Sequence, residues 1–228
     1  LQKLKQGELE KLKVTLYPKN GVKDINAKEK TVTDDFGSTH YYDLLVMATG
    51  SRAFVPNEVR MDLPGRFTMR ERGDADRLKD YLSKTGLPTN EEHVVIVGGG
   101  LLGLELAAAL KKININISII QRAPRLMERQ LDPVSSKLLA EDVSERGIQL
   151  FFDNEVSTIF EEEESQYTLM VNLKTGRTLR CNAIVYAIGT RPNISLATSA
   201  GLETRRGVLV DPYLKTSDPS IFALGEIA

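Results

Sequence analysis

Residues 93–112 read HVVIVGGGLLGLELAAALKK. A run of β-branched residues gives way to three glycines and then to a segment rich in Leu and Ala, so the pattern predicts a buried strand, a tight turn and a helix. Gly98, Gly100 and Gly103 stand in the spacing GxGxxG, after a strand and opening a helix, which is the context a dinucleotide-binding turn requires. Each glycine has its own task there. Gly98 permits the turn, Gly100 lets a pyrophosphate approach the backbone, and Gly103 lets helix and strand pack closely. The amides and dipole at the helix start, around Leu101 and Leu102, then hold the phosphates. The alternative on the same residues is a glycine-rich turn of a ligand-free Rossmann-like domain. Val94 to Leu110 is also the most membrane-like stretch of the chain, but three consecutive glycines and the central Glu105 argue against a span.

Around this stretch the chain has the balance of an ordinary globular protein: 30 Lys and Arg against 31 Asp and Glu give a net charge of −1. Such neutrality supplies no electrostatic reason to expect nucleic acid or an anionic membrane as partner. Cys181 is the single cysteine and has no partner for an internal disulfide, while His40 and His93 are too far apart in sequence for a zinc-binding spacing. The N-terminal residues are charged and do not resemble a signal peptide, so the expectation is a metal-free cytoplasmic protein. A start at Leu1 without methionine and a stop at Ala228 suggest a fragment.

Before the glycine turn, Leu1–Lys13 has a loosely amphipathic pattern, helix or arm. The segments at 14–18 (VTLYP), 22–25 (VKDI) and 31–33 (TVT) predict a small antiparallel meander leading into YYDLLVMATGSR, a strand that ends in a glycine turn. Residues 54–66, with Pro56 and Pro64, read as a crossing linker rather than packed structure, with a domain boundary expected between Arg70 and Glu92. Asp74–Ser83 has helical spacing. After the glycine turn come a strand (NINISII), a helix from Pro133 closed by Gly147, and another strand (IQLFF), completing a βαβαβ unit. VSTIF, YTLMVNL and TLRCN form a second meander, which returns the chain to AIVYAIG, a last sheet strand. The acidic run at 161–164 fits a solvated hairpin tip.

About 20 residues beyond the glycines an acid commonly binds the ribose 2′-hydroxyl of NAD. Gln121 stands there, followed by Arg122. A neutral amide still hydrogen-bonds a hydroxyl, and an arginine pairs with a 2′-phosphate, so NADH and NADPH both stay open; equally, Arg122 and Arg125 read as solvent-exposed charges. Cys181, in an expected strand, reads as a buried structural thiol.

The fingerprint VVIVGGGLLGLELA, the strand LLVMATGS, the returning strand AIGTRPN and the closing TSDPSIFALGEIA occur in the order found in the two-dinucleotide-fold flavoprotein reductases. From about Val14 onward the chain resembles the pyridine nucleotide-disulfide oxidoreductase class. The run PRLMERQLD and Glu226 look most like the reductase module of assimilatory nitrite reductase large subunits and related nitrate reductase proteins. The resemblance implies an α/β fold in which a Rossmann-like NAD(P)-binding domain (74–193) is inserted in a partial FAD-binding domain (1–73 and 194–228), with antiparallel meanders. Carried over residue by residue, it implies that Thr49 and Gly50 pass near FAD, that Glu226 contacts the ribityl chain, that Gly189 lines the nicotinamide nucleotide and that Glu105 lies near the nicotinamide–flavin contact. The bland alternatives are that Gly50 and Gly189 merely end strands and that the helix N-terminus alone stabilises Glu105.

The implied activity is an NAD(P)H-dependent FAD oxidoreductase module that passes electrons to a downstream centre, iron–sulfur or sirohaem, in nitrite or nitrate reduction. Rubredoxin or ferredoxin reductase and NADH oxidase are alternatives within the class, and a non-catalytic nucleotide-binding scaffold is the alternative outside it. Two departures from the class stand out: the first FAD fingerprint is absent, which implies poor FAD binding and no activity by this fragment alone, and no redox CxxC occurs.

Overall fold

The computed structural model describes residues 11–161 and 168–228. Most of the amphipathic segment 1–13, and Glu162–Glu164 of the acidic run, lie outside the described residues. The first strands are β1 (Val22–Asn26), β2 (Thr31–Asp34), β3 (Thr39–Tyr41), β4 (Leu45–Met47) and β5 (Ser51–Ala53). They are followed by β6 (Arg66–Thr68), α1 (Arg72–Leu82), β7 (His93–Val97), α2 (Leu101–Lys111), β8 (Asn116–Ile120), α3 (Pro133–Glu145) and β9 (Ile148–Phe151). Then come β10 (Val156–Glu161), β11 (Leu169–Leu173), β12 (Thr178–Cys181), β13 (Ala183–Tyr186), β14 (Thr190–Pro192), α4 (Ser195–Ser199) and β15 (Ile221–Ala223), with a final 3₁₀ turn at Gly225–Ile227.

The chain divides into two compact units, Leu1–Ser51 with Pro192–Ala228, and Arg52–Arg191. The first crossing therefore comes at Ser51–Arg52, earlier than the expected 73, because β6 hydrogen-bonds to β13 inside the sheet of the second unit. Residues 54–66 are likewise not a bare linker: Val55, Val59 and Met61 pack against that unit's second core.

In the second unit, five parallel strands lie in the order β6-β13-β7-β8-β9. Both faces of this sheet are covered, which is why β7 and β13 read as unbroken apolar runs. Val94, Ile96, Ile117, Ile119 and Val185 join Leu106, Leu110, Leu78 and Val143 of the helices in one core. Val95, Ile120, Ile184 and Tyr186 join Leu169, Val171, Leu173 and Cys181 of the β10-β11-β12 antiparallel meander in the other. The meander's half-exposed role shows in β11, where buried Leu169, Val171 and Leu173 alternate with the less buried Met170 and Asn172. Asp132 caps α3 by accepting from the Val134 and Ser135 amides at 2.8 and 3.0 Å, Pro133 opens the helix, and Gly147, with φ +76°, lets the chain leave it.

In the first unit, β1, β2 and β3 form an antiparallel meander and β4 pairs with β15 in parallel. The third strand of that meander is Thr39–Tyr41, not the expected 14–18, whose Val14 and Leu16 are exposed and gain nothing from pairing. Asp34 fixes the β2–β3 turn. It accepts from Asn20 Nδ2 (2.7 Å), His40 Nε2 (2.9 Å) and the Ser38 and Phe36 amides (2.8 and 3.0 Å). These bonds, His40's first, hold its carboxyl down at about 2.

Burial pushes the Cys181 thiol and the Tyr186 phenol up to about 12, from ordinary values of 9.0 and 10.0. Both groups stay protonated in the folded unit while the unfolded chain releases their protons, so stability falls as pH rises from about 9 towards 12. Alkaline thermal scans are expected to show that decline. Tyr186→Phe is expected to make it shallower while costing less than about 1 kcal/mol at neutral pH, because the buried Tyr186 hydroxyl has no hydrogen-bond partner to lose among the described residues.

Candidate functional site

The path β7, α2, β8, α3, β9 runs to one edge of the parallel sheet, and β13 and β6 lie on the other side of β7. The carboxyl ends of β7 and β13 therefore flank the switch point at which open parallel sheets bind ligands. Gly98 follows β7 and Gly189 follows β13. The Ala187 amide donates to Val97 O at 2.8 Å and carries the ladder up to this point.

Gly98 has φ +115°, and a Cβ there would come within 2.5 Å of the Ala187 carbonyl oxygen. A Cβ on Gly103 would collide with the carbonyl oxygen of Gly98. These two glycines are packing requirements. Gly100 differs: nothing lies within 4 Å of where its Cβ would be, so the space beside it is open. Gly100, at the N-cap of α2, has no side chain to cap it, which among the described residues leaves the amides at Leu101 and Leu102 to a ligand or water. Two glycines that seat the turn, a third that faces open space and an uncapped helix start together fit a dinucleotide pyrophosphate.

Gln121 directly follows β8 and has a structural task of its own. Its Oε1 accepts from the Gly99 amide at 2.8 Å and its Nε2 donates to Arg125 O at 3.3 Å, so the carboxamide braces the glycine turn and keeps a second donor and a second acceptor. Arg122 extends outward with 83% of its side chain exposed, its Nε 3.7 Å from Glu155 Oε1. Glu155 is tied more tightly to Lys174 through Oε2. The Lys174 bond, aided by the charge of Arg122, holds the Glu155 carboxyl below the usual carboxylate range. Sequence reasoning missed Glu155 and Lys174, since no spacing rule links them to position 122. Leu101, Leu102 and Glu105 are exposed on α2. Gly189, with φ +101° and open space beside it, accepts from the Phe54 amide at 2.9 Å.

In the first unit, the carboxyl ends of the paired strands β4 and β15 gather a second set. Thr49 Oγ1 donates to Asn193 O at 3.1 Å, Asn193 Nδ2 donates to Thr49 O at 2.9 Å, and the Asn193 amide donates to Gly50 O at 2.9 Å. Ser51 Oγ donates to Glu226, which the 3₁₀ turn after β15 carries. Gly50 (φ +60°) and Gly225 (φ +78°) both have open space beside them. Ser51 and Asn193 had not been singled out, although both close the motifs LLVMATGS and AIGTRPN. These residues suit the polar middle of a flavin nucleotide, but no strand–glycine turn–helix unit able to hold a pyrophosphate occurs among the described residues of this unit.

The doubly covered parallel sheet and the turn at its switch point define an α/β protein of the dinucleotide-binding kind. Residues 3–228 match the pyridine nucleotide-disulphide oxidoreductase family, and the chain belongs to it. It is 34% identical over 217 residues to the nitrite reductase [NAD(P)H] large subunit of Klebsiella oxytoca, covering 94% of this chain and 22% of that protein. It is 30% identical over 215 residues to the assimilatory nitrate reductase electron transfer subunit of Bacillus subtilis, covering 94% of this chain and 27% of that one. Among solved structures, a ferredoxin reductase from Rhodopseudomonas palustris superposes with a TM-score of 0.89 at 28% identity, over 100% of this chain and 54% of the other. The chain thus spans about a quarter of those curated relatives. Among the described residues no helix is long and apolar enough to cross a membrane.

The two kinds of glycine separate on substitution. Gly103→Ala is expected to lower the stability of the second unit by about 1–3 kcal/mol through the forced clash with Gly98. Gly100→Ala is expected to cost less than about 1 kcal/mol while abolishing nucleotide binding. Thermal unfolding paired with nucleotide titration checks both.

Proposed function

We propose that the chain is the nicotinamide-nucleotide-binding part, and a portion of the flavin-binding part, of an NAD(P)H-dependent FAD oxidoreductase. In this reading Arg52–Arg191 binds NAD(P)H and the remaining unit contributes to an FAD site. The observation that carries it is the Gly98–Gly103 turn at the switch point between β7 and β13, with Gly100 facing open space. The likeness to nitrite and nitrate reductase components supports a downstream electron acceptor, and the acceptor in this proposal is of iron–sulfur or sirohaem type. The likeness to a ferredoxin reductase supports a second reading, in which the same half-reaction serves a ferredoxin or rubredoxin. A cytoplasmic setting goes with either, since the lone Cys181 is a free buried thiol.

When bound, nicotinamide and flavin supply the hydride chemistry between them. The chain's residues bind and orient. The turn and the start of α2 fix the pyrophosphate, Gly189 leaves room beside the β13 end, and Thr49, Gly50 and Glu226 present polar groups at the ends of β4 and β15. No general acid or nucleophile is required of them.

Calorimetric titration of this chain with NADH, NADPH and FAD in separate cells tests the proposal. Binding of a nicotinamide nucleotide with little FAD binding is the expected result, because the first unit carries no pyrophosphate turn among its described residues. Silence towards both nicotinamide nucleotides would overturn it in favour of a non-catalytic scaffold.

A further inference from the structure

Beside the loop that follows β8 lies a cavity of about 350 Å³. Its walls are Pro124 and Arg125 of that loop, Pro133, Lys137 and Ala140 on α3, and Phe152 just after β9. Neither the glycine turn nor Gln121 or Arg122 lines it, so it is separate from the residues that the coenzyme reading uses. The wall carries two cations and, among the described residues, no carboxylate. Lys137 is exposed, and its contact with Glu141 Oε1 at 3.8 Å costs little to break. Arg125 is half-buried: its Nη2 donates to Glu128 O at 3.2 Å, while its buried Nε has no acceptor among the described residues. A buried donor left unpaired is costly, so this guanidinium has an unmet demand that an anion answers best. The rest of the wall is apolar, with Phe152 and Ala140 half-buried and seated on the core of the helix face. The volume is at the small end of ligand-binding cavities and suits a single ring with a short acid rather than a dinucleotide.

We propose that this cavity binds a small aromatic carboxylate, its acid group on Arg125 and Lys137 and its ring against Phe152 and the prolines, and that the occupant tightens coenzyme binding. The second half rests on the nucleotide reading above. The coupling runs through the loop. Arg125 O accepts from Gln121 Nε2 at 3.3 Å, and Gln121 Oε1 holds the Gly99 amide at 2.8 Å. From the other side, the Met127 amide donates to Gly99 O at 3.0 Å, and Ser136, on the cavity wall, donates from Oγ to Leu126 O at 2.7 Å. One loop thus forms a wall of the cavity and clasps both backbone groups of Gly99. Met127 takes φ +50°, so the clasp is held against backbone strain. An occupant that pins Arg125 restrains the clasp, and less ordering remains when a pyrophosphate settles on the turn.

Benzoate is the probe, with benzamide as its neutral isostere and acetate as the acid without a ring. Each is titrated into the chain and followed by NMR, with thermal unfolding to verify that every variant folds. Benzoate is expected to bind with a millimolar Kd, and benzamide and acetate at least about tenfold more weakly. Arg125→Gln is expected to lower benzoate affinity about tenfold. Lys137→Gln is expected to lower it less, and Ala140→Leu, which fills the cavity and keeps both charges, is expected to abolish it. With benzoate bound, NADH affinity is expected to rise a few-fold, and NADH is expected to raise benzoate affinity by the same factor. No benzoate binding, binding that survives Ala140→Leu, or benzamide matching benzoate overturns the site. Competition between benzoate and NADH overturns the separation of the two sites, and an unchanged NADH affinity overturns the coupling. Failure of the chain to bind NADH while benzoate behaves as expected overturns the nucleotide reading and the coupling with it, and leaves the cavity's ligand standing.

Discussion

The second unit depends on one close approach, that of the Gly98 carbonyl to the Cα of Gly103, where there is no room for a Cβ. This contact lets α2 start directly over the end of β7. Because α2 then lies tight on the sheet, Leu106, Ala107 and Leu110 reach the same core as Val94 and Ile96. Close-packed interiors do not tolerate a displaced helix, so the glycine turn is a structural joint. The same local geometry that secures the core uncaps the helix start and leaves its amides for an anion.

The opposite face of the sheet makes the turn's position possible. With the β10-β11-β12 meander packed over Val95, Ile184 and Tyr186, β13 is held beside β7 and its ladder runs on to Ala187. Two strand ends are thereby fixed side by side, one leading to Gly98 and one to Gly189. Had β13 been an edge strand with one bare face, its apolar run would have been costly to expose, and the switch point would lack one wall.

Much of this was legible in the sequence because it is local. The three glycines, the apolar runs of β7, β8 and β13, the Asp132–Pro133 helix start and the Gly147 exit each follow from short-range spacing. The family resemblance pointed to Thr49, Gly50 and Glu226, on segments that the parallel pairing of β4 with β15 brings to common strand ends. What was not legible depends on partners far along the chain. The order of residues 54–66 comes from packing of Val55, Val59 and Met61 on a core built by the meander, and the early crossing at Ser51–Arg52 comes from β6 pairing with β13. The strand-like segment at 14–18 shows the converse: a favourable composition forms no strand where its apolar residues stay exposed.

Gln121 has a structural task that spacing alone does not show, and its chemistry explains why an amide stands there. The site demands an acceptor for the Gly99 amide and, from the same side chain, a donor to Arg125 O. An ionised carboxylate accepts but cannot donate, and at this position it would set a negative oxygen against the Arg125 carbonyl. A carboxamide supplies both functions at once. Stabilising the loop therefore draws on the position from which a dinucleotide fold commonly reads the ribose. Beyond it lie Arg122 and the Glu155–Lys174 pair, beside the end of β8, where the Asn154 amide donates to Gln121 O and the Lys174 amide to Glu155 O. The neutrality of Gln121 is thus a requirement of the turn.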